Sequence, residues 1–288
     1  MRVAVLSSPD GWHYRDLLRA ADQQHNVFSF GFDQVAAELG GDERPGFNLD
    51  ADCVIVRTMP PGSLEQVVFR MDLLARLQDS GVAVFNPPKS IEAAVDKYLS
   101  LAMLSGAGIE VPETKVAQSV QQAVDHFEKL GCCCVVKPLF GSMGFGIKRL
   151  ETLEQAKAHF TTAVESGSVI YQQRFIEHEG FDIRLLVIGD QVLGMKRSND
   201  GHWITNISQG GVGTAHKPTE LEHELALRSA GAVGAVFAGV DLVYEASTGQ
   251  PLVVEVNAVP GWRATSKVVG IDVAAMMIEE IERRVIHG

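Results

Sequence analysis

Short strand-like runs alternate with helix-like runs along the whole chain, and this alternation constrains the fold more than any other feature. Residues 2–7, 52–57 and 82–85 read as buried strands, with helices over 12–24 and 64–78 between them. In the second helix Leu64, Val67, Val68, Met71, Leu74, Ala75 and Leu77 fall near one stripe. Asn86-Pro87-Pro88 is the first clear boundary. Beyond it the pattern predicts a helix over 90–105, a strand near Val116, a helix over 120–130 and strands over 132–137 and 147–150. A helix over 152–164 precedes strands over 169–172, 182–188, 192–197 and 202–207, then a loop over 210–213 and a helix over 220–237. A hairpin (240–245 and 252–257, around Ser247-Thr248-Gly249) and a helix over 271–285 close the chain. The class expected is α/β: a small unit over 1–88, then a larger body over 89–288.

Composition narrows the partners. Asp and Glu number 36 against 25 Lys and Arg, a net charge of −11, so the overall field repels nucleic acid and anionic lipid. The expected partners are therefore small molecules, and an anionic one needs a local basic pocket. The apolar fraction of 46 % argues against disorder. No run approaches a membrane span, and the N-terminal apolar run is too short for a signal peptide, so a cytoplasmic protein is expected. Cys132, Cys133 and Cys134 are adjacent, which suits neither a disulfide framework nor a spaced zinc site. With Cys53 they read as small buried hydrophobes, Cys132 and Cys134 sharing one strand face.

Three features carry chemistry. The first is Gly141-Ser142-Met143-Gly144-Phe145-Gly146, a glycine-rich turn between strands, where backbone N–H groups can approach a phosphate. It is neither the dinucleotide fingerprint, which opens a helix, nor a P-loop, since Ile147 stands before Lys148 and no Ser or Thr follows. The second is lysine in unusual places: Lys137 ends an apolar strand, where an anion would satisfy it, and Lys97 follows Asp96. The third is the hairpin. Glu255 and Asn257 share a face, and symmetry about Thr248 sets Asp241 across from Glu255. Opposed carboxylates repel, and a divalent cation bound by this all-oxygen set would relieve them. Asp182 and Arg184 share a strand face as a possible ion pair, and Arg263 follows the acidic face as a candidate anion holder. No histidine spacing suits zinc, and no Ser or Cys stands out as a nucleophile.

In order along the chain, Asn86-Pro87-Pro88, Asp96-Lys97, Val135-Val136-Lys137-Pro138, the glycine turn, Gly180-Phe181-Asp182-Ile183-Arg184, Thr205-Asn206, Gly210-Gly211, Gly239-Val240-Asp241-Leu242 and Glu255-Val256-Asn257 with Pro260-Gly261 resemble the RimK-like ATP-grasp α-L-glutamate ligases. Residues 56–65 and 257–264 look most like members linked to tetrahydromethanopterin cofactor biosynthesis. The resemblance implies an ATP-grasp fold: an N-terminal α/β domain over 1–88, a smaller ATP lobe over about 110–175 and a larger metal-binding lobe over about 176–288. It implies that Lys97, Lys137 and the loop of Gly141, Ser142, Met143, Gly144 and Gly146 meet ATP phosphates. Gln173, Arg174, Phe175 and Ile176 would form the adenine hinge. Asp182 would lie near the ribose, and Thr205 and Asn206 near the phosphates. Asp241, Glu255 and Asn257 would hold Mg²⁺ or Mn²⁺, with two ions expected. Arg184, Arg197 and Lys196 are the catalytic candidates, and Arg57, Gly210, Gly211 and Arg263 the substrate candidates. The family hinge usually reads Gln-Glu-aromatic, where this chain has Arg174, and the family tends to have Arg at the position of Ile204.

The implied reaction is ATP-driven addition of L-glutamate to an acceptor carboxylate through an acyl phosphate, by a homo-oligomer. Two alternatives remain beside it: a ligase acting on a protein C-terminus or another peptide acceptor, and a non-catalytic ATP-binding protein.

Overall fold

The structure, a computed structural model, describes residues 1–39, 49–141 and 144–287. Ser142 and Met143 of the glycine turn lie outside the described residues.

The first unit is a parallel sheet of order β2-β1-β3-β4. It consists of β1 (Arg2–Leu6), α1 (Trp12–Ala20), β2 (Asn26–Phe30), β3 (Cys53–Val56), α2 (Leu64–Asp79) and β4 (Ala83–Phe85). The central strands are apolar and buried, over residues 3–6 of β1 and all of β3, because both of their faces are covered; the edge strand β2 is only partly covered. Ala4, Leu6, Val54 and Val56 pack with Met71, Leu74 and Leu77 of α2. Leu64 and Val68 of the expected stripe are instead exposed, and Leu73 replaces them in the core. The strand β2 was absent from the sequence reading.

The chain then departs from the single helix expected over 90–105. There are two, α3 (Pro88–Val95) and α4 (Lys97–Gly106), because Asp96 leaves the helical conformation and caps α4 through Tyr98 N and Leu99 N.

The second sheet, of order β5-β8-β6-β7, is antiparallel. It contains β5 (Thr114–Ala117), α5 (Val120–Lys129), β6 (Cys134–Lys137), β7 (Lys148–Leu150), α6 (Leu153–Glu165) and β8 (Ile170–Arg174). Cys134 and Val136 point to the core under α5 and α6, so the alternation sends Val135 and Lys137 to the opposite face. Cys132 does not share the Cys134 face: it sits in a left-handed turn (φ 58°) ahead of the strand and is exposed.

The third sheet, of order β11-β10-β9-β12-β13, is also antiparallel. It contains β9 (Phe181–Ile188), β10 (Gln191–Ser198), β11 (Val212–His216), α7 (Glu220–Ala232), β12 (Phe237–Tyr244) and β13 (Pro251–Asn257). Residues 202–206 are not a strand. Asn199 Nδ2 donates to Ile204 O and Gln209 O and folds them into a loop, which ends in a short 3₁₀ turn, Ile207–Gln209. Strand pairing begins at Val212, inside the stretch read as a loop. The helix α7 stops at Ala232, five residues short of expectation (237 − 232 = 5), so that Phe237 can start β12. Ile183, Leu185, Val240 and Leu242 form a core with Leu101, Leu104 and Ala226, so Asp182, Arg184 and Asp241 face away from it.

The last elements are α8 (Arg263–Val269), not foreseen, and α9 (Val273–His287). Met277, Ile278 and Ile281 of α9 share a core with Val3, Val5 and Leu17 of the first unit and Leu186 and Ile188 of the third sheet. Asn86 fastens the same seam: its amide donates to Phe237 O and Ala258 O and accepts from Val236 N and Phe237 N. Among the described residues no helix is long and apolar enough to cross a membrane.

Candidate active site

The core-averted faces of the second and third sheets face each other across a cleft that is partly open to solvent. One wall carries Val135, Lys137 and Gln173; the other carries Asp182, Arg197, Asp241 and Glu255, with Arg174, Phe175 and Ile176 at the connection. Thr205 and Asn206 close one side. Eleven sequence-predicted residues therefore meet here from seven separate stretches of chain.

The acidic wall is a row of charges set by register. Arg197 lies opposite Asp182, Arg184 opposite Asp241, and Asp241 opposite Glu255. Arg197 holds Asp182 through two hydrogen bonds (2.7 and 2.6 Å) and reaches Asp241 at 3.0 Å; Arg184 meets Asp241 at 2.8 Å. Asp182 also accepts from Thr205 Oγ1. Asp182 and Arg184 share a face as expected but pair across strands, not with each other. Burial pushes Asp241 upward, and the two guanidiniums outweigh it and hold the carboxyl below its ordinary range. The repulsion expected between Asp241 and Glu255 is thus relieved at Asp241 by arginines.

The register also contains a bulge. Asp241 faces Glu255 but Leu242 faces Val253, which leaves Val254 unpaired. The bulge brings Val254 into the cleft beside Val243. Asn257 Oδ1 accepts from Val259 N, which fixes its side chain at the end of the strand. Asp241 and Glu255 line the cleft and Asn257 follows on the same hairpin outside the lining; their carboxylate and amide oxygens are the ligand type a hard divalent cation takes, and both Asp241 oxygens are held here by Arg184 and Arg197.

On the opposite wall Lys137 Nζ donates to Gln173 Oε1 at 2.7 Å, and Gln173 is itself fixed by Thr114 and Tyr171. Burial pulls Lys137 below the usual lysine range, while Glu255 opposes that pull. Lys97 sits in the first turn of α4 and donates to Gly141 O at 2.7 Å, so it holds the base of the glycine turn. Gly144 has φ 75°, and a Cβ there would meet Asn206 Oδ1 at 2.8 Å. A glycine is what lets this turn lie against Asn206. Gly211 is equally confined, since a Cβ would collide with Thr205 O; with Gly210 it carries the Asn206 loop into β11.

Other predicted residues lie off the cleft. Lys196 stacks on Phe181 (3.7 Å), and Arg57 and Arg263 lie over Trp262 and Trp12. Arg174, at the rim of the cleft, turns to Glu245 at 2.7 Å, so the departure from the hinge pattern is answered by an acid just beyond β12. Sequence reasoning missed Ile147, His178 and Trp203, which line the cleft around Phe175. Trp203 lay in a supposed strand, and only its contact with Phe175 (5.7 Å) marks it.

A cleft that sets Lys137 on one antiparallel sheet against Asp182, Asp241 and Glu255 on another, with Lys97 at the base of a glycine turn beside it, has the two-sheet arrangement of the ATP-grasp class of ATP-dependent ligases. Residues 94–281 match the model of the RimK-like ATP-grasp domain, and the chain belongs to that family. It is similar to the tetrahydromethanopterin:alpha-L-glutamate ligase of Methanosarcina acetivorans, with 31 % identity covering 96 % of this chain and 97 % of that protein. Among solved structures it resembles a RimK domain ATP-grasp protein from Sphaerobacter thermophilus (TM-score 0.74, 25 % identity, 97 % and 99 % covered). It also resembles the ATP-grasp ligase PsnB in complex with a minimal precursor, Mg and ADP (TM-score 0.76, 20 % identity, 98 % and 97 % covered). The chain is an ATP-dependent enzyme that joins carboxylates to amines.

Proposed function

We propose that this enzyme adds L-glutamate, through its amine, to a carboxylate of a tetrahydromethanopterin-type acceptor. The observation that carries the chemistry is the cleft itself: Lys137 on one wall, the Asp241–Glu255 pair on the other, Lys97 beside them at the glycine turn, and no nucleophile needed. End-to-end similarity to a ligase of that name supports the choice of glutamate and pterin.

In this reading a carboxylate oxygen of the acceptor attacks the γ-phosphorus of ATP and ADP leaves, giving an acyl phosphate. The glutamate amine then attacks the acyl carbon, loses its proton and expels phosphate. Lys97, Lys137 and the turn around Gly144 hold the phosphates, and the residues from Gln173 to Ile176 receive adenine against Val135, Ile147 and Val254. The chain's work is positioning and charge compensation. Asp241, Glu255 and Asn257 would hold Mg²⁺, in a two-ion arrangement that Mn²⁺ can also fill, and the metal would offset phosphate charge. Arg184 and Arg197, engaged by Asp182 and Asp241, keep the carboxylates in place. The proposed division is an N-terminal domain to Pro88, then two lobes meeting near Arg174, in a cytoplasmic homo-oligomer.

The test is purified enzyme with ATP, Mg²⁺, L-glutamate and a panel of pterin and peptide acceptors, read by mass spectrometry. ADP together with an acceptor heavier by one glutamyl residue supports the reading. ATP binding without any amide product overturns it, and a modified peptide with an unmodified pterin moves the acceptor to the peptide class.

A further inference from the structure

A second cationic site lies in the seam between the first unit and the rest of the molecule. Trp12, His13 and Asp16 come from α1, Arg57 follows β3, and Trp262 and Arg263 begin α8. The Arg57 guanidinium lies 4.5 Å from the Trp262 ring centre, and His13 meets that ring at 4.4 Å. Arg263 lies 5.4 Å from the ring of Trp12.

This cluster lacks counter-charge. Arg57 Nε and His13 Nε2 are buried without a hydrogen-bond partner. Asp16, the acid that faces His13, is taken up by Trp262 Nε1 and Arg19, both at 2.8 Å. Among the described residues neither Arg57 nor Arg263 has an ion pair. Burial alone brings Arg57 down to about 9, with no carboxylate to oppose it. Burial first, and then Arg57, brings His13 down to about 4, so the imidazole is neutral and free to hydrogen-bond. A buried guanidinium without counter-charge, as at Arg57, is costly, and an anion reverses the cost.

We propose that Arg57, Arg263 and His13 bind a carboxylate of a substrate, one that does not react. Arginine offers a bidentate fork for a carboxylate, and the fully buried Trp262 shields the Arg57 side of it from water. Arg263 follows Asn257 by six positions (263 − 257 = 6), so one short connection ties this anion site to the acidic hairpin. That the anion belongs to a substrate rests on the ligase reading; its sources are the side chain of the incoming amino acid and a distal carboxylate of the acceptor.

Glutarate is the probe, titrated calorimetrically into the full chain without nucleotide. Binding weakened about tenfold or more by Arg263→Gln, an exposed position, and by Arg57→Gln supports the proposal. Thermal unfolding checks that both variants are folded, and Arg263→Gln keeps the test open if Arg57→Gln is not. Absence of glutarate binding, or equal affinity in the folded variants, overturns it. In turnover assays a raised KM for L-glutamate or for the acceptor, with little change in kcat, identifies the source. Glutarate binding lost in the variants alongside no amide product with any acceptor overturns the ligase reading and leaves the anion site standing.

Discussion

Asp241 shows how much one side chain carries. Its two oxygens anchor Arg184 and Arg197, and through Arg197 the position of Asp182. Asp241→Asn would leave two largely buried guanidiniums short of counter-charge. A loss of about 3–5 kcal/mol in urea unfolding is expected, with loss of amide formation. His13 sets a pH dependence. It titrates near 4 when folded against an ordinary 6.5, so the unfolded chain holds more protons between those values. Stability should therefore fall as pH drops from about 6.5 to about 4, by about 1–2 kcal/mol after solvent screening, and His13→Gln should flatten that slope. The residue types at the site were legible in the sequence, because a lysine ending an apolar strand and carboxylates on a hairpin are locally anomalous. Their partners were not. Asp182 and Arg184 look like a pair at i, i+2, but each finds its counter-ion on a neighbouring strand, and cross-strand register is not a local property.

Elements place these residues by interruption as much as by regularity. Asp96 breaks what periodicity reads as one helix, and the break puts Lys97 in a first turn, aimed at Gly141. Asp96→Ala should cost about 1 kcal/mol in thermal unfolding, and the KM for ATP should rise as Lys97 loses its footing. Asn86 makes four main-chain hydrogen bonds across the seam, and Asn86→Ala, leaving those groups unpaired, should cost about 3 kcal/mol. Long, strongly periodic elements such as α2, α5 and α6 were readable to within a few residues. The short ones were not. Val-Gly-Thr-Ala-His in β11 has no alternation, and it becomes a strand only because β10 offers an edge.

For the whole molecule, the cleft depends on how the second and third sheets face each other. Arg174, at the end of β8, meets Glu245, just beyond β12, and Ala246 N donates to Glu177 O beside them. The ion pair is partly exposed, so its stability contribution is about 0–1 kcal/mol, and its effect belongs to lobe geometry. Arg174→Glu should raise the KM for ATP with little change in unfolding midpoint, and adding Glu245→Arg should restore it. The net charge of −11 also takes a spatial form. Lys97 and Lys137 gather near the cleft and Arg57 with Arg263 at the seam, so an acidic protein concentrates positive charge in two separate places.

The three tryptophans fall on these same two places. Trp203 borders the nucleotide cleft, while Trp12 and Trp262 wall the seam, Trp262 fully buried with its indole N–H on Asp16. The enzyme therefore has a built-in optical reporter for each compartment. With Trp203→Phe, tryptophan emission, excited selectively at the red edge of the band, comes only from the seam; with Trp12 and Trp262 replaced by Phe, only from the cleft. Stopped-flow mixing of the two variants with each substrate in turn would read the order in which the chambers fill, with no label attached.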